Sequence, residues 1–236
     1  MRSFLLFLLI CSTGYAASPD SFARAKKIAV SVFSKHPQTI YCQCTYNQKE
    51  IDLTSCGMQE ASANKRAHRM EFEHIVAAEH LGQRFECWRT PLCTDKQGKP
   101  FKGRRCCQQI DKHYRHLEAE LYNLWPAVGL VNQARSNYRF GMIPGKNNYF
   151  GCTIKIDKAL RRAEPPDNAK GVVARAYLFM AEHYRISLSS SQKELFMAWN
   201  KTYSPSAWEL QWASQVAAIE GYPNPYITQW SMLAKK

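Results

Sequence analysis

The alternation of apolar and polar positions predicts a chain built mainly of amphipathic helices. Residues 18–37 space apolar side chains along one side of a first helix, which begins near one proline and ends at another. In the last third of the chain, residues 167–186 form a second helical block, and capping-box spacings that begin at Ser191 and Ser206 open two more. The pattern therefore favours a mostly helical fold.

Three stretches in the first half of the chain have a different pattern. Residues 39–57 hold two short β-leaning runs around a polar NQKE segment, which is typical of a hairpin. Residues 70–82 pass from a strand end, MEF, into a helix that stops at Gly82, and residues 111–124 resume helical spacing up to a break at Pro126. Since no long linker or repeat divides the chain, these elements predict a single α+β domain, mostly helical, with a small β region.

The first residues have the composition of an export signal. Arg2 precedes an apolar run and then small residues up to Ala16, so we expect residues 1–16 to be a cleaved signal peptide and residues 17–236 to be one mature domain. The apolar run is too short to span a membrane, and no later run is apolar enough to do so. The sequence thus predicts a protein of the periplasm or the surrounding medium, without a membrane span.

Charge adds a class of partner. The chain has 32 Lys and Arg against 19 Asp and Glu, a formal net charge of +13. Such an excess favours anionic partners, first nucleic acid and second an anionic lipid or glycan surface. Lys99, Lys102 and Arg105 belong to a basic band whose contacts with a phosphate backbone would position a strand without reading its bases.

An even number of cysteines remains after the signal segment, and in an exported chain this predicts up to four disulfides that tie the β region and the loops. These cysteines are Cys42, Cys44, Cys56, Cys87, Cys93, Cys106, Cys107 and Cys152. Their spacing leaves the connectivity open. A zinc site is the alternative, but adjacent cysteines and the Cys-x-Cys pair do not have the usual offsets of zinc ligands.

The stretch MEFEH carries the candidate chemistry. A zinc peptidase would need two histidines four residues apart around a glutamate, whereas His74 and His80 are six apart. The other chemical hypothesis makes the Glu73 carboxylate a ligand of Mg²⁺ and His74 the general base that takes a proton from water. Without such a role, the pair is an exposed glutamate beside a histidine at a helix N-terminus.

Two downstream stretches add to this hypothesis. KGRRCC places Arg104 next to cysteines that can hold it still, and a guanidinium group matches the paired oxygens of a phosphate; the alternative is a solvated basic loop. NLWPAVGLVNQARSNYRF contains Asn132, whose amide oxygen can complete a magnesium site; the alternative is an ordinary cap or turn residue.

These motifs, in their order and spacing, resemble the bacterial endonuclease I family. The matching stretches cover nearly the whole mature chain and include YCQCTY, FEHIVAAEHLG, KGRRC, EAELYNLWPAVGLVNQARSNYRF and RAEPPDNAKGVVARAYLFM. The resemblance implies a ββα-metal, or His-Me finger, active-site motif. It also implies a role for each of five residues: Mg²⁺ ligands Glu73 and Asn132, general base His74, phosphate clamp Arg104, and Glu118 as the acidic residue that supports the histidine.

The resemblance further implies an exported, monomeric endonuclease that cuts DNA, with RNA as a second candidate substrate, and leaves 5′-phosphate products. One bound Mg²⁺, replaceable by other divalent ions, would serve the reaction. One departure is that Leu210 and Gln211 stand where several members have Cys and Arg, so C-terminal contacts are not carried over. Two alternatives stay open: a disulfide-rich basic protein that binds nucleic acid or the envelope without catalysis, and a zinc-dependent hydrolase with free thiols.

Overall fold

A computed structural model of the protein describes residues 18–145 and 148–233, so the expected signal peptide lies outside the described residues. Its helices are α1 Phe22–Val32, α2 Ala78–Gly82, α3 Glu86–Arg89, α4 Arg104–Ile110, α5 Lys112–Glu118, α6 Gly129–Arg135, α7 Asp167–His183, α8 Ser190–Thr202, α9 Ala207–Glu220, α10 Pro225–Thr228 and α11 Trp230–Leu233. Its strands are β1 Tyr46–Asn47, β2 Glu50–Ile51, β3 Met70–His74, β4 Cys93–Thr94, β5 Pro100–Phe101, β6 Leu124–Val128, β7 Arg139–Phe140, β8 Lys155–Asp157 and β9 Arg162–Glu164. The expected mixture of helices with a small amount of sheet is confirmed.

The antiparallel pair β3–β6 lies at the centre of the fold and leads directly into α6. Its register runs from Met70 opposite Val128 to His74 opposite Leu124. The prediction that a helix starts at Glu73 is wrong, since β3 continues through His74 and α2 begins only at Ala78. Pairing with a strand about 50 residues away decides this, and local sequence does not contain that information.

The prediction of one helix over residues 111–124, ended or kinked by Pro126, is also wrong. Helix α5 ends at Glu118, and Pro126 lies inside β6, whose five residues are all buried. A fully buried strand and a buried helix both appear in the sequence as a continuous apolar run, so the pattern alone cannot distinguish them. The Pro126 carbonyl accepts a hydrogen bond from the Ile40 N–H at 2.8 Å, on the side away from β3. Because N and O of one residue point the same way in a strand, the missing N–H of Pro126 removes no bond to β3.

The cysteines form four disulfides, as expected, and the structure supplies their connectivity. The pairs are Cys42–Cys152, Cys44–Cys56, Cys87–Cys107 and Cys93–Cys106. All eight thiols are therefore oxidised, which contradicts the alternative of a zinc hydrolase with free thiols. The predicted hairpin over residues 39–57 is present but short, because only β1 and β2 pair within it.

The helices of the last third follow their predicted pattern. The side chain of Ser206 accepts a hydrogen bond from the Glu209 N–H and caps α9, as expected. The cap of α8 is Ser189 and not Ser191, since the Ser189 hydroxyl accepts the Gln192 N–H. These helices bury their apolar faces in one core together with α1, β3 and β6. Tyr122 and Trp125 are buried in this core.

A second, smaller cluster stands beside this core. It contains Cys87, Cys93, Cys106, Cys107 and Tyr114, with few other apolar side chains around them. Within the described ranges, no helix combines the length and the apolar character that crossing a membrane requires.

Candidate active site

Strand β3 and helix α6 form one wall of an open cleft, and α1 and α4 form the opposite side. The cleft has a volume of about 1010 Å³ and is lined by Glu73, His74, Arg104 and Asn132 together with basic side chains of other segments. We call it the His74 cleft. The structure thus brings together four residues that are up to 59 positions apart in sequence.

Glu73 is the buried anionic group of the cleft. Its Oε1 accepts a hydrogen bond from the Tyr41 hydroxyl at 2.9 Å and lies 3.1 Å from Nη1 of Arg135. Neither contact uses Oε2. Burial raises the pKa of Glu73 to about 7, although Arg135 and the Tyr41 hydrogen bond favour the charged form. A bound cation would therefore keep this carboxylate ionised.

His74 is held in one tautomer. Its Nε2 lies 2.8 Å from the backbone carbonyl oxygen of Glu118. Because a carbonyl only accepts, Nε2 must carry the proton, which leaves the lone pair on Nδ1. The imidazole packs against the ring of Phe22 at 4.6 Å, and burial beside Arg104 lowers the pKa of His74 to about 3. The ring is thus neutral at physiological pH and can accept a proton at Nδ1.

Arg104 is held by Glu118 and remains half exposed. Its Nε donates to Oε1 of Glu118, whose two carboxylate oxygens also accept from Gln108 at 3.1 and 2.9 Å, while Tyr114 donates to Oε1 at 3.1 Å. The Arg104 side chain is 41% exposed, whereas that of Glu118 is 1% exposed. The guanidinium group therefore has N–H donors available to the cleft after its Nε is fixed.

Glu118 thus has two different contacts. Its backbone carbonyl holds the imidazole of His74, and its carboxylate holds Arg104. The family resemblance implies that Glu118 supports the histidine, and in the structure its main-chain carbonyl is the group that contacts the ring. The carboxylate itself positions the neighbouring guanidinium group.

Asn132 lies in α6, one turn before Arg135. Its Nδ2 donates to Oε2 of Glu71 at 3.0 Å, and Glu71 is in turn paired with Arg66 at 2.8 Å. This contact orients the amide and leaves Oδ1 as its acceptor atom. Gly129 allows the close approach of α6 to β3, since a Cβ there would lie 2.8 Å from the Glu71 carboxylate.

The donor atoms of the cleft fit a hard divalent cation. Glu73 and Asn132 offer one carboxylate and one amide oxygen, and Mg²⁺ is commonly bound by one or two protein oxygens with water at its other positions. Within the described ranges, no group of three or more His, Cys, Asp or Glu side chains is arranged to hold a metal. Such a cluster is typical of structural and catalytic zinc sites.

The remaining predicted binding residues lie outside the His74 cleft. Lys99 follows β4, Lys102 precedes α4, and Arg105 lies over the ring of Phe101 at 4.3 Å; all three are exposed. The sequence analysis missed the basic side chains that line the cleft itself: Lys26, Lys27, Lys49, Arg66 and Arg135. Of these, Arg135 was predictable from the sequence, because it follows Asn132 by three positions in a helical stretch and therefore lies on the same face of the helix.

Known proteins resemble this chain over nearly its whole length. The model of the Endonuclease I family matches residues 11–230. An extracellular deoxyribonuclease of Aeromonas hydrophila is 34% identical, with 96% of this chain and 97% of that protein covered. A periplasmic deoxyribonuclease of the same species is also 34% identical, with 94% and 91% covered. Endonuclease-1 of Buchnera aphidicola subsp. Acyrthosiphon pisum is 34% identical, with 88% and 80% covered.

Proposed function

Since the chain belongs to the endonuclease I family, we propose that it is an exported, metal-dependent endonuclease that hydrolyses the phosphodiester bonds of DNA without sequence specificity. Its products would carry 5′ phosphates. The observation that supports this proposal most strongly is the convergence of a neutral histidine, a held arginine and two oxygen ligands in one basic cleft. We assign β3, β6 and α6 to the ββα-metal motif on the same grounds.

In this proposal Glu73 and Asn132 hold a Mg²⁺ ion. When bound, the ion supplies positive charge that stabilises the leaving oxygen. Tyr41 and Arg135 fix one oxygen of the Glu73 carboxylate, and Glu71 fixes the Asn132 amide, so both ligands are oriented in advance. Contacts of this kind are what position a ligand accurately for a metal.

His74 takes the proton from the attacking water. The carbonyl of Glu118 keeps the proton on Nε2 and so reserves Nδ1 for water, which attacks phosphorus as hydroxide while the bond between phosphorus and the 3′ oxygen breaks. Arg104 binds a non-bridging oxygen and stabilises the charge that develops there. Glu118 acts as a positioning residue for both groups, through its carbonyl and its carboxylate.

Basic side chains of the His74 cleft and of the exposed loop would hold the strand. Lys26, Lys27 and Lys49 line the cleft, and Lys99, Lys102 and Arg105 extend the positive surface from α4. These groups pair with phosphates and do not read base edges, which agrees with cleavage that ignores sequence. The relatives named extracellular and periplasmic deoxyribonuclease support export to the same compartments after removal of residues 1–16, and we propose that the mature protein acts as a monomer.

The test is cleavage of supercoiled plasmid by the oxidised mature protein, with Mg²⁺ or with EDTA. We expect nicked and linear products only with Mg²⁺, and none from His74→Ala. His113→Ala is the matched control, because His113 is an exposed histidine outside the His74 cleft. A plasmid that is shifted in a gel but never cut would instead support the non-catalytic binding protein, and RNA assayed in parallel determines the substrate range.

A further inference from the structure

A second cavity lies on the other side of α2 from the His74 cleft. It has a volume of about 470 Å³, and its lining residues are Val76, His80, Gln83, Arg84, Arg139, Tyr177, Arg185, Ile186, Ser187 and Leu188. Three of these are arginines, and no carboxylate is among them. We call it the Tyr177 cavity. Its walls therefore carry three guanidinium groups, and one carboxylate, that of Glu79 in the neighbouring His74 cleft, acts electrostatically on His80.

Two buried polar atoms at this cavity lack a partner. The hydroxyl of Tyr177 and Nδ1 of His80 make no hydrogen bond to any described residue. Tyr177 is only 2% exposed, and its ring is fixed between Phe196, stacked at 4.3 Å, and Phe140, at 6.1 Å edge-on. A buried hydroxyl without a partner destabilises the folded protein, because it has lost its hydrogen bond to water. A ligand that accepts hydrogen bonds would remove this cost.

Two of the three guanidinium groups around the cavity are held in place by hydrogen bonds. Nη1 of Arg139 donates to Gln192 of α8 at 3.0 Å, and Nη1 of Arg84 donates to the Tyr184 carbonyl at 2.7 Å. Each guanidinium group has further N–H donors, and Arg185 adds a third group on the same wall. Burial next to Arg139 and Arg135 lowers the pKa of His80 to about 4, and burial raises the pKa of the Tyr177 hydroxyl, so both are uncharged.

We propose that the Tyr177 cavity is a binding site for a phosphate group, which accepts hydrogen bonds from Tyr177, Arg139 and His80. The volume exceeds what a single water molecule or halide ion would fill. Guanidinium groups together with a hydroxyl donor match the several oxygens of a phosphate. The shared chemistry is a phosphate oxyanion, and it has two sources: free inorganic phosphate and the backbone of a bound strand.

Residues 76–83 border both the His74 cleft and the Tyr177 cavity. A DNA strand bound in the cleft therefore passes close to the cavity, and its backbone is a direct source of the phosphate group. Ala77, Ala78 and Glu79 line the His74 cleft, whereas Val76 and His80 line the Tyr177 cavity. A DNA backbone that leaves the cleft along α2 would thus place a further phosphate over the cavity. This second step rests on the proposed function; phosphate binding by itself does not.

The first experiment titrates inorganic phosphate into oxidised His74→Ala protein in EDTA, at constant ionic strength, and follows the His80 ring by NMR. We expect a saturable shift and a rise in the pKa of His80 toward its ordinary value of about 6.5. Arg139→Gln should weaken phosphate binding about tenfold, and Tyr177→Phe severalfold, because each removes one donor. Arg89→Gln, which removes an exposed arginine that lines neither site, should leave the affinity for phosphate unchanged.

Two results would overturn the phosphate site. One is a His80 shift that grows linearly with phosphate concentration and is reproduced by chloride; the other is a loss of phosphate binding in Arg89→Gln equal to that in Arg139→Gln. Thermal unfolding of each variant separates a lost contact from a lost fold. If Arg139→Gln fails to fold, Tyr177→Phe decides, since it keeps the ring and its packing.

The second experiment measures binding of a duplex to the same His74→Ala background at several salt concentrations. Arg139→Gln should reduce the slope of log K against log salt by about one, whereas Tyr177→Phe should weaken binding without changing the slope. Unchanged duplex affinity in both variants would overturn the strand as the source and leave the site to free phosphate. Neither readout needs cleavage, so wild-type plasmid cutting tests the proposed function separately.

Discussion

The two walls of the His74 cleft are stabilised in different ways. The wall of β3 and α6 is part of the main core, and its charged groups are buried: the side chain of Arg135 is 1% exposed and pairs with Glu73. On the opposite side, α1 packs in the main core, whereas α4 belongs to the small cystine cluster, which contains two disulfides and few apolar side chains. Its functional group, Arg104, is half exposed.

This difference predicts that substitutions on one side of the cleft mainly change the free energy of unfolding, whereas substitutions on the other side mainly change the reaction rate. A buried ion pair cannot lose one partner without leaving a charge in a low-dielectric interior, so changes in the first wall should cost folding free energy. When a half-exposed arginine is replaced, water can take the place of its guanidinium group. Substitution of Arg104 should therefore lower the reaction rate with a smaller effect on the free energy of unfolding. The four predictions below test this division.

The largest effect is expected for Arg135→Met. The guanidinium group pairs with Glu73 and donates to the backbone carbonyls of His74 and Ile75, so its loss leaves a buried carboxylate without its cation and two carbonyls without this donor. We expect a loss of about 3–5 kcal/mol in the free energy of unfolding. Urea unfolding of the oxidised protein in EDTA measures it. A change below about 1 kcal/mol would mean that the first wall does not depend on this pair.

Arg104→Gln should lower turnover by about two to three orders of magnitude, because it removes one positive group from the transition state. Its free energy of unfolding should change less than that of Arg135→Met, since the Arg104 side chain is 41% exposed and Gln108 and Tyr114 still donate to the buried Glu118 carboxylate. The measurement pairs the initial rate of plasmid nicking with the unfolding midpoint. Arg104→Lys should restore part of the rate; a variant that loses stability and rate together would contradict the division between the walls.

Removal of the Cys87–Cys107 disulfide by a double Ser substitution should cost about 2–4 kcal/mol. Because the cystine cluster has few apolar contacts, we expect local opening around α4, with loss of activity at temperatures where the main core is still folded. Hydrogen exchange resolves the two regions. Uniform loss of protection across both walls would show that they unfold as one unit.

The smallest effect is expected in the connection between the walls, residues 119–123. Two buried carboxylates hold it: Glu120 accepts the Tyr122 N–H at 2.9 Å, and Glu220 accepts the Leu121 N–H at 3.0 Å. Burial, together with the charge of Glu120, raises the pKa of Glu220 to about 7. A raised carboxyl pKa favours the folded state while the group is protonated, and this contribution is lost as pH rises from about 4.5 through about 7.

Unfolding of the wild type should therefore cost roughly 1–3 kcal/mol less at pH 8 than at pH 5 from this source. Glu220→Gln should reduce that difference and leave the part that comes from Glu73, whose pKa is also raised to about 7, whereas Glu194→Gln, at an exposed position, should keep all of it. Parallel pH profiles for the wild type and Glu220→Gln would contradict the assignment.

Local pattern was enough to predict α1 and α7–α9, because the apolar residues on the buried face of an amphipathic helix recur at a regular spacing along the sequence. The family and the candidate residues Glu73, His74, Arg104 and Asn132 also followed from short motifs in a fixed order. Local pattern predicted the start of β3 but failed at its last two residues and at β6. A strand that is paired with a distant segment and buried on both faces has no spacing of its own that distinguishes it from a helix.

The sequence by itself thus determined the class of fold, the oxidised state of its cysteines and the family. Only the tertiary structure decided which cysteines pair, that Arg135 is the partner of Glu73, and that Glu118 holds His74 through a carbonyl and Arg104 through its carboxylate. It alone assembled the Tyr177 cavity from four separate segments. The physical reason is that each of these contacts joins residues far apart in the chain, and their closeness depends on how the whole core packs.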